Sequence, residues 1–255
     1  MAPRKKPAAV VESETESETS SESSFEMIPA SKQSAGKQAA GGFSLPFRNI
    51  NSLELPPNNF GCSIVMYGAT RSGKTTLLNY LYDKHFKDYV SILMSNSLQS
   101  PAYKRLKKTC VTSDLFHQEI LKDAYRINHD TNNHYKFLMV LDDITDHKFS
   151  SEIVKLFTIY RNSRISCICG VQATTMMNKT ARANINFVLL GRLNNDLEIE
   201  MVIKSYLTSF MPPRMKMAEK ITVYRKLTDD HHWIVIDQVG NDIFRTKLTP
   251  QQILD

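Results

Sequence analysis

The stretch Gly68-Ala69-Thr70-Arg71-Ser72-Gly73-Lys74-Thr75 reads G-x-x-x-x-G-K-T, the pattern of a loop that cradles phosphates. Before it, Cys62 to Tyr67 form a short apolar run suited to a buried strand. After it, Thr76 to Tyr82 read as a helix with Leu77, Leu78 and Leu81 on one face. The motif therefore sits between a strand and a helix N-terminus. Successive backbone N–H groups and the helix dipole converge there on one point, and that point favours an anion. Gly68, Ala69, Thr70, Arg71, Ser72, Gly73, Lys74, Thr75 and Thr76 are the expected nucleotide-binding residues.

Outward from the loop, strands and helices alternate. Strands are expected at Tyr89–Met94, Phe137–Leu141, Ile165–Gly170 and Phe187–Leu190, with a late one at Trp233–Ile236 as an antiparallel edge. The run Phe137 to Leu141 lacks polar alternation, as a strand buried on both faces should. Helices are expected over 114–128 with Asp114 as cap, over 150–160, and around 196–210 and 213–226. This alternation predicts an α/β fold, a mostly parallel sheet with helices on both faces.

The third strand ends in Leu141-Asp142-Asp143, which delivers two carboxylates to the sheet edge where ligands of open α/β sheets bind. Asp142 is expected to hold Mg²⁺ beside the hydroxyl of Thr75. Asp143 points elsewhere if side chains alternate along the strand, and is then placed to accept a proton from water attacking a γ-phosphate. The competing reading is a polar strand end with Asp143 capping a helix. The fourth strand runs into Gln172, which either senses the γ-phosphate of ATP or simply starts a loop. Lys74 and Mg²⁺ leave room for a further cation on the transition state. Arg161 and Arg164 precede the fourth strand, at the opposite edge of the sheet from their own loop, so they suit a neighbouring subunit's site better. Arg71, inside the loop, is a further candidate.

Together, Gly68–Thr75, Phe137–Asp143, Tyr160–Ser166 and Gln172 resemble the DNA-packaging ATPases of large DNA viruses and virophages, the poxvirus-type branch of the FtsK–HerA superfamily of P-loop ATPases. The resemblance spans roughly residues 60 to 210. It implies a P-loop NTPase three-layer sandwich of the additional-strand type, with strand order 5-1-4-3-2. It also implies a homo-oligomeric ring that uses ATP and Mg²⁺ to drive double-stranded DNA into a preformed capsid. Capsid vertex or procapsid proteins would be partners, and the host cytoplasm at the viral factory, or the virion, the place of action. The trans arginine finger it implies falls on Arg161 first and Arg164 second. The wider superfamily usually has Glu where this chain has Asp143, one methylene shorter. Such a motor binds DNA phosphates without reading bases. Lys104 and Arg105, with Lys107 and Lys108, form one candidate set. Lys179 and Arg182 form a second, and Arg214 and Lys216, with Lys220, a third. Each is equally readable as a solvated face.

The bulk numbers agree. Of 255 residues, 42% are hydrophobic, enough for a large core, and the net charge is +6. The first forty residues carry a net −1 and the rest +7, so the folded part is basic and compatible with a polyanion. Residues 1–45 are read as a disordered Ser/Glu-rich tail, with Ser13, Thr15 and Thr19 in acid-directed kinase contexts and Arg4-Lys5-Lys6 as a basic cluster. Residues 46–255 are read as the ATPase domain. No apolar run is long enough to cross a membrane, and no secretory signal is expected. Cys62, Cys110, Cys167 and Cys169 lack zinc-type spacing and are expected as buried thiols. Asn178-Lys179-Thr180-Ala181 lacks the aspartate with which a GTPase reads guanine, and no Arg-rich lid marks a small-molecule kinase. A DNA helicase or other translocase of the same superfamily stays open as an alternative, and so does a non-hydrolysing nucleotide-bound scaffold.

Overall fold

The structure, a computed structural model, describes residues 43–57, 59–144 and 150–254. The basic cluster and the kinase contexts of the expected tail lie outside the described residues. Among the described residues, Phe43 and Leu45 rest on the core.

In chain order the elements are β1 (Ser63–Tyr67), α1 (Lys74–Leu81), β2 (Val90–Met94), α2 (Leu106–Thr109), β3 (Val111–Ser113) and α3 (Gln118–Asp130). Then follow β4 (Phe137–Asp142), α4 (Ser151–Phe157), β5 (Ile165–Val171), α5 (Lys179–Ala183), β6 (Phe187–Leu190) and α6 (Asp196–Val202). The chain closes with α7 (Met217–Leu227), β7 (Trp233–Asp237), β8 (Asp242–Thr246) and α8 (Pro250–Leu254). One eight-stranded sheet runs β3-β2-β4-β5-β1-β6-β7-β8. The pairings from β3 through β6 are parallel, while β7 and β8 are antiparallel. The five strands foreseen up to Leu190 stand as β6-β1-β5-β4-β2, which is the order 5-1-4-3-2. The sheet differs in detail at its margins. β3 extends one edge, and the late strand Trp233–Asp237 is interior because β8 covers it.

Both faces of the sheet are covered, so the central strands are apolar throughout. In β1, Ile64 and Met66 face a core closed by Leu77, Leu78 and Leu81 of α1 and Leu106 of α2. Val65 and Tyr67 face the other core, closed by residues of α3 to α7. The result is three layers. All four cysteines are buried and unbridged.

Several helix limits differ from the sequence pattern. The helix expected from Asp114 begins at Gln118 with His117 as cap, because the Ser113 hydroxyl turns the chain through its bonds with the N–H and carbonyl of Leu115. Leu115 is left exposed. The helix capped by the Ser150 side chain ends at Phe157, and Tyr160–Ser163 form a separate 3₁₀ turn closed by Arg164 in a left-handed conformation (φ 56°). Helices α1 and α6 continue through π-helical turns, Tyr82–Phe86 and Ile203–Leu207.

Asn128 fastens the N-terminal edge of the sheet. Fully buried, it accepts from the Tyr135 N–H (3.1 Å) and donates to the carbonyls of Tyr135 (2.9 Å) and Ser163 (2.6 Å). Asn128→Ala would remove all three bonds at a buried position, a loss of roughly 1–3 kcal/mol. A denaturant titration should show a lower midpoint with an unchanged slope, and an unchanged midpoint would contradict this account.

Candidate active site

The phosphate loop leaves β1 at Gly68 and is tied on both sides. The Gly68 N–H donates to Val171 (3.3 Å) and the Ala69 N–H to Arg192 (2.8 Å), so β5 and the segment after β6 fix its path. A Cβ on Gly68 would lie 2.5 Å from the Ser72 hydroxyl, and Gly73 (φ 92°) turns the chain into α1 in a region L side chains rarely adopt. Arg71 is left-handed as well (φ 64°) and exposed. Lys74 is buried, and its ammonium donates to the carbonyls of Gly68 (2.7 Å) and Ala69 (3.3 Å). A cleft of ≈ 320 Å³ opens over Lys74, Thr75 and Asp143, with Ser100 and Ala102 on its far wall.

Asp142 is the last residue of β4 and wholly buried. Its Oδ2 accepts from the Tyr103 hydroxyl (2.7 Å) and lies 3.5 Å from the Thr75 hydroxyl. Its Oδ1 has no partner. Burial pushes this carboxyl above the usual carboxylate range, while the Tyr103 hydrogen bond pulls it back. The same burial, and then the facing Asp142 charge, push the Tyr103 phenol up. Asp142 pairs in register with Gly170 of β5, where a Cβ would fall 1.9 Å from Oδ1. Only glycine admits the carboxylate there.

Asp143 diverges from Asp142 for a different reason than strand alternation. The strand has ended, and Asp143 is left-handed (φ 51°). It caps no described helix, since α4 is capped by Ser150. Its Oδ1 accepts from the Gln172 amide (3.2 Å), the residue that follows β5. Thus Lys74, Thr75, Asp142, Asp143 and Gln172, up to 98 residues apart in the chain, meet at the C-terminal edge of the parallel strands.

The arginines do not join them. Arg161 and Arg164 sit in the turn that enters β5, at the N-terminal edge, where Arg161 donates to the Asn184 carbonyl (3.4 Å) and Arg164 to that of Asn133 (2.9 Å). Nor do the candidate DNA contacts form one patch. Lys104 and Arg105 flank α1, with Arg105 paired to Asp83 (3.0 Å). Lys179 and Arg182 on α5, and Arg214 and Lys216 before α7, belong with the helices of the opposite face. Lys220, grouped with the last pair, is buried. Tyr103 was not foreseen. No spacing links Pro101-Ala102-Tyr103 to a carboxylate 39 residues on. Gly170, a lone glycine in an apolar strand, carries a usable sign of close approach.

Fold and site together define a P-loop NTPase. Residues 51–247 match the sequence profile described as Poxvirus A32 protein, and the chain belongs to that family, the poxvirus-type branch of P-loop packaging ATPases. No curated protein matches it in sequence. Its fold is similar to the genome packaging NTPase B204 of Sulfolobus turreted icosahedral virus 2, solved with sulfate (13% identity, TM-score 0.55, covering 74% of this chain and 97% of that one). It is also similar to B204, the DNA-packaging ATPase of Sulfolobus Turreted Icosahedral Virus (14%, 0.54, 75% and 99%). The pCW3 conjugation coupling protein TcpA with ATPγS is a third (14%, 0.51, 77% and 65%). Among the described residues no helix is long and apolar enough to cross a membrane.

Because burial raises the Asp142 carboxyl in the folded chain, the folded state binds its proton more tightly than the unfolded state. Stability from this group is highest below the unfolded carboxylate value and declines as pH rises through it toward the folded value. Asp142→Asn removes that decline. Its melting temperature in chelator should exceed wild type at pH 7, with the gap closing toward about pH 3. A less stable variant at neutral pH would contradict the assignment.

Proposed function

We propose that this chain is an ATP-driven motor that moves double-stranded viral DNA into a preformed capsid, hydrolysing ATP to ADP and phosphate. The observation that carries the reading is the Asp143–Gln172 hydrogen bond, set beside a buried Lys74 and a buried Asp142 at one mouth. A nucleotide-bound scaffold has no need of a second carboxylate oriented by an amide.

The amides from Gly73 to Thr76, at the entry and first turn of α1, and the Lys74 ammonium bind the phosphates. Thr75 and Asp142 would hold Mg²⁺. A buried carboxylate with one oxygen unpartnered, next to a hydroxyl, has the hard oxygen donors that ion takes. When bound, the ion neutralises phosphate charge. Asp143 accepts the proton of the attacking water, and Gln172 keeps its carboxylate turned to the cleft and registers the γ-phosphate. The water oxygen bonds the γ-phosphorus as the bond to the ADP oxygen breaks. Arg161, with Arg164 second, supplies transition-state charge to the next subunit of a ring, as its place at the far sheet edge suggests. The basic segments hold DNA phosphates, and capsid vertex proteins anchor the ring. The family acts in the infected cell where virions assemble, and we place this chain at the cytoplasmic viral factory.

Double-stranded DNA should stimulate ATP hydrolysis. Lys74→Ala and Asp142→Asn should each lower kcat by at least about 100-fold. Absence of hydrolysis by the wild type would overturn the motor reading. For the trans finger, Lys74→Ala subunits mixed with Arg161→Ala subunits should exceed either variant alone, because one supplies the loop and the other the arginine. A mixture no better than its parts would remove Arg161 from that role.

A further inference from the structure

Beside the phosphate cleft lies a second cavity of ≈ 390 Å³. The two share Arg71, Gly73 and Thr76, so the second opens from the flank of the loop and the first turn of α1. Its outer walls come from the C-terminal part of the chain: His231 in the turn before β7, Trp233 at the start of β7, Lys247 and Leu248 after β8, and Ile253 of α8. Trp233 and Leu248 are core residues, so this wall is apolar and held in place from behind.

The turn that presents His231 is unusual. Asp230 (φ 52°) and His231 (φ 56°) are consecutive non-glycine residues in the left-handed region, where backbone strain is expected. An ion pair between Asp230 and Lys247 (2.5 Å) pins the turn to the end of β8. This conformation brings the imidazole against the loop. Its Nδ1 is 3.5 Å from the Ser72 carbonyl and 3.6 Å from where a Cβ on Gly73 would stand. Gly191 makes room for the Trp233 ring behind it, since a Cβ there would lie 2.7 Å from the ring.

A phosphate needs none of this. An apolar pocket with two aromatic rings, joined to a polyanion cradle, fits a ligand that carries a flat apolar group on its phosphates. We propose that the cavity is the seat of the nucleobase, with His231 and Leu248 holding a purine by its faces; this rests on the nucleotide-binding reading above. Its polar side chains, Arg71, Thr76 and Lys247, suit ring nitrogens such as the N7 that both purines share, and no carboxylate or amide side chain is among the described lining residues to read the N–H groups that tell the bases apart. The pocket is therefore a purine platform with weak discrimination between ATP and GTP, unlike a site that reads guanine with an aspartate.

The test exploits Trp233, the single tryptophan of the chain. Full-length protein is titrated with ATP, GTP and inorganic tripolyphosphate, each with Mg²⁺, following tryptophan emission and heats of binding. Both purine nucleotides should change the emission and bind within about tenfold of each other, while tripolyphosphate binds without that change. His231→Asn keeps a residue that tolerates the left-handed turn but removes the ring. With Leu248→Ala as a second variant, it should weaken ATP by roughly tenfold and tripolyphosphate by less than about twofold. If ATP and tripolyphosphate alter the emission alike and both variants weaken them equally, the base does not sit here. If the wild type binds tripolyphosphate as tightly as ATP, the pocket contributes nothing and the proposal falls while the phosphate loop stands. If it binds neither, the nucleotide reading falls and this one with it.

Discussion

A carboxylate is kept out of water at the end of β4, and much of the site follows from that. Asp142 is fully buried with one oxygen unpartnered, an arrangement that costs free energy unless a cation or a donor comes to it. Its surroundings are built around the cost. β5 carries glycine where any side chain would collide with Oδ1. Tyr103 donates to Oδ2 and is itself backed by the Ser95 hydroxyl (3.2 Å). Thr75, on the first turn of α1, stands at the edge of bonding distance. One buried charge thus links β2, β4, β5, the Pro101–Tyr103 turn and the phosphate loop. The raised carboxyl is the trace of that strain, and the loss of stability it brings is a property of a site made to receive a cation.

The parallel sheet then separates two kinds of chemistry by the length of its strands. The loop after β1 and the ends of β4 and β5 deliver Lys74, Asp142, Asp143 and Gln172 to one edge, whereas the turn entering β5 holds Arg161 and Arg164 at the other. A strand of seven residues lies between Arg164 and Gln172, so the arginines are out of reach of their own cleft. On the proposed reading they serve a second copy of the chain instead.

Much of this was legible in the sequence, for a reason that can be stated. The central strands are buried on both faces and read as unbroken apolar runs, and the glycines of the loop mark backbone that side chains would block. The meeting of Asp142 with Thr75 follows from those signals, whereas the strand order is what the family resemblance implies. What stayed hidden depends on contacts between distant segments. β3 is three residues with no apolar pattern, β8 is an outer strand, and Tyr103 is one tyrosine among ten until the fold sets it on Asp142. Asp114 looks like a helix cap, yet the Ser113 turn beside it starts the helix four residues later. His231 gains meaning only because a left-handed turn lays it on the loop.

If the buried Asp142 and the Asp143–Gln172 pair serve a motor, hydrolysis must move the chain along DNA. The direct measurement is ATP-driven displacement of a third-strand oligonucleotide from double-stranded DNA. The account predicts displacement with ATP, and none with a non-hydrolysable analogue or with Lys74→Ala. Hydrolysis stimulated by DNA with no displacement above the nucleotide-free control would contradict it.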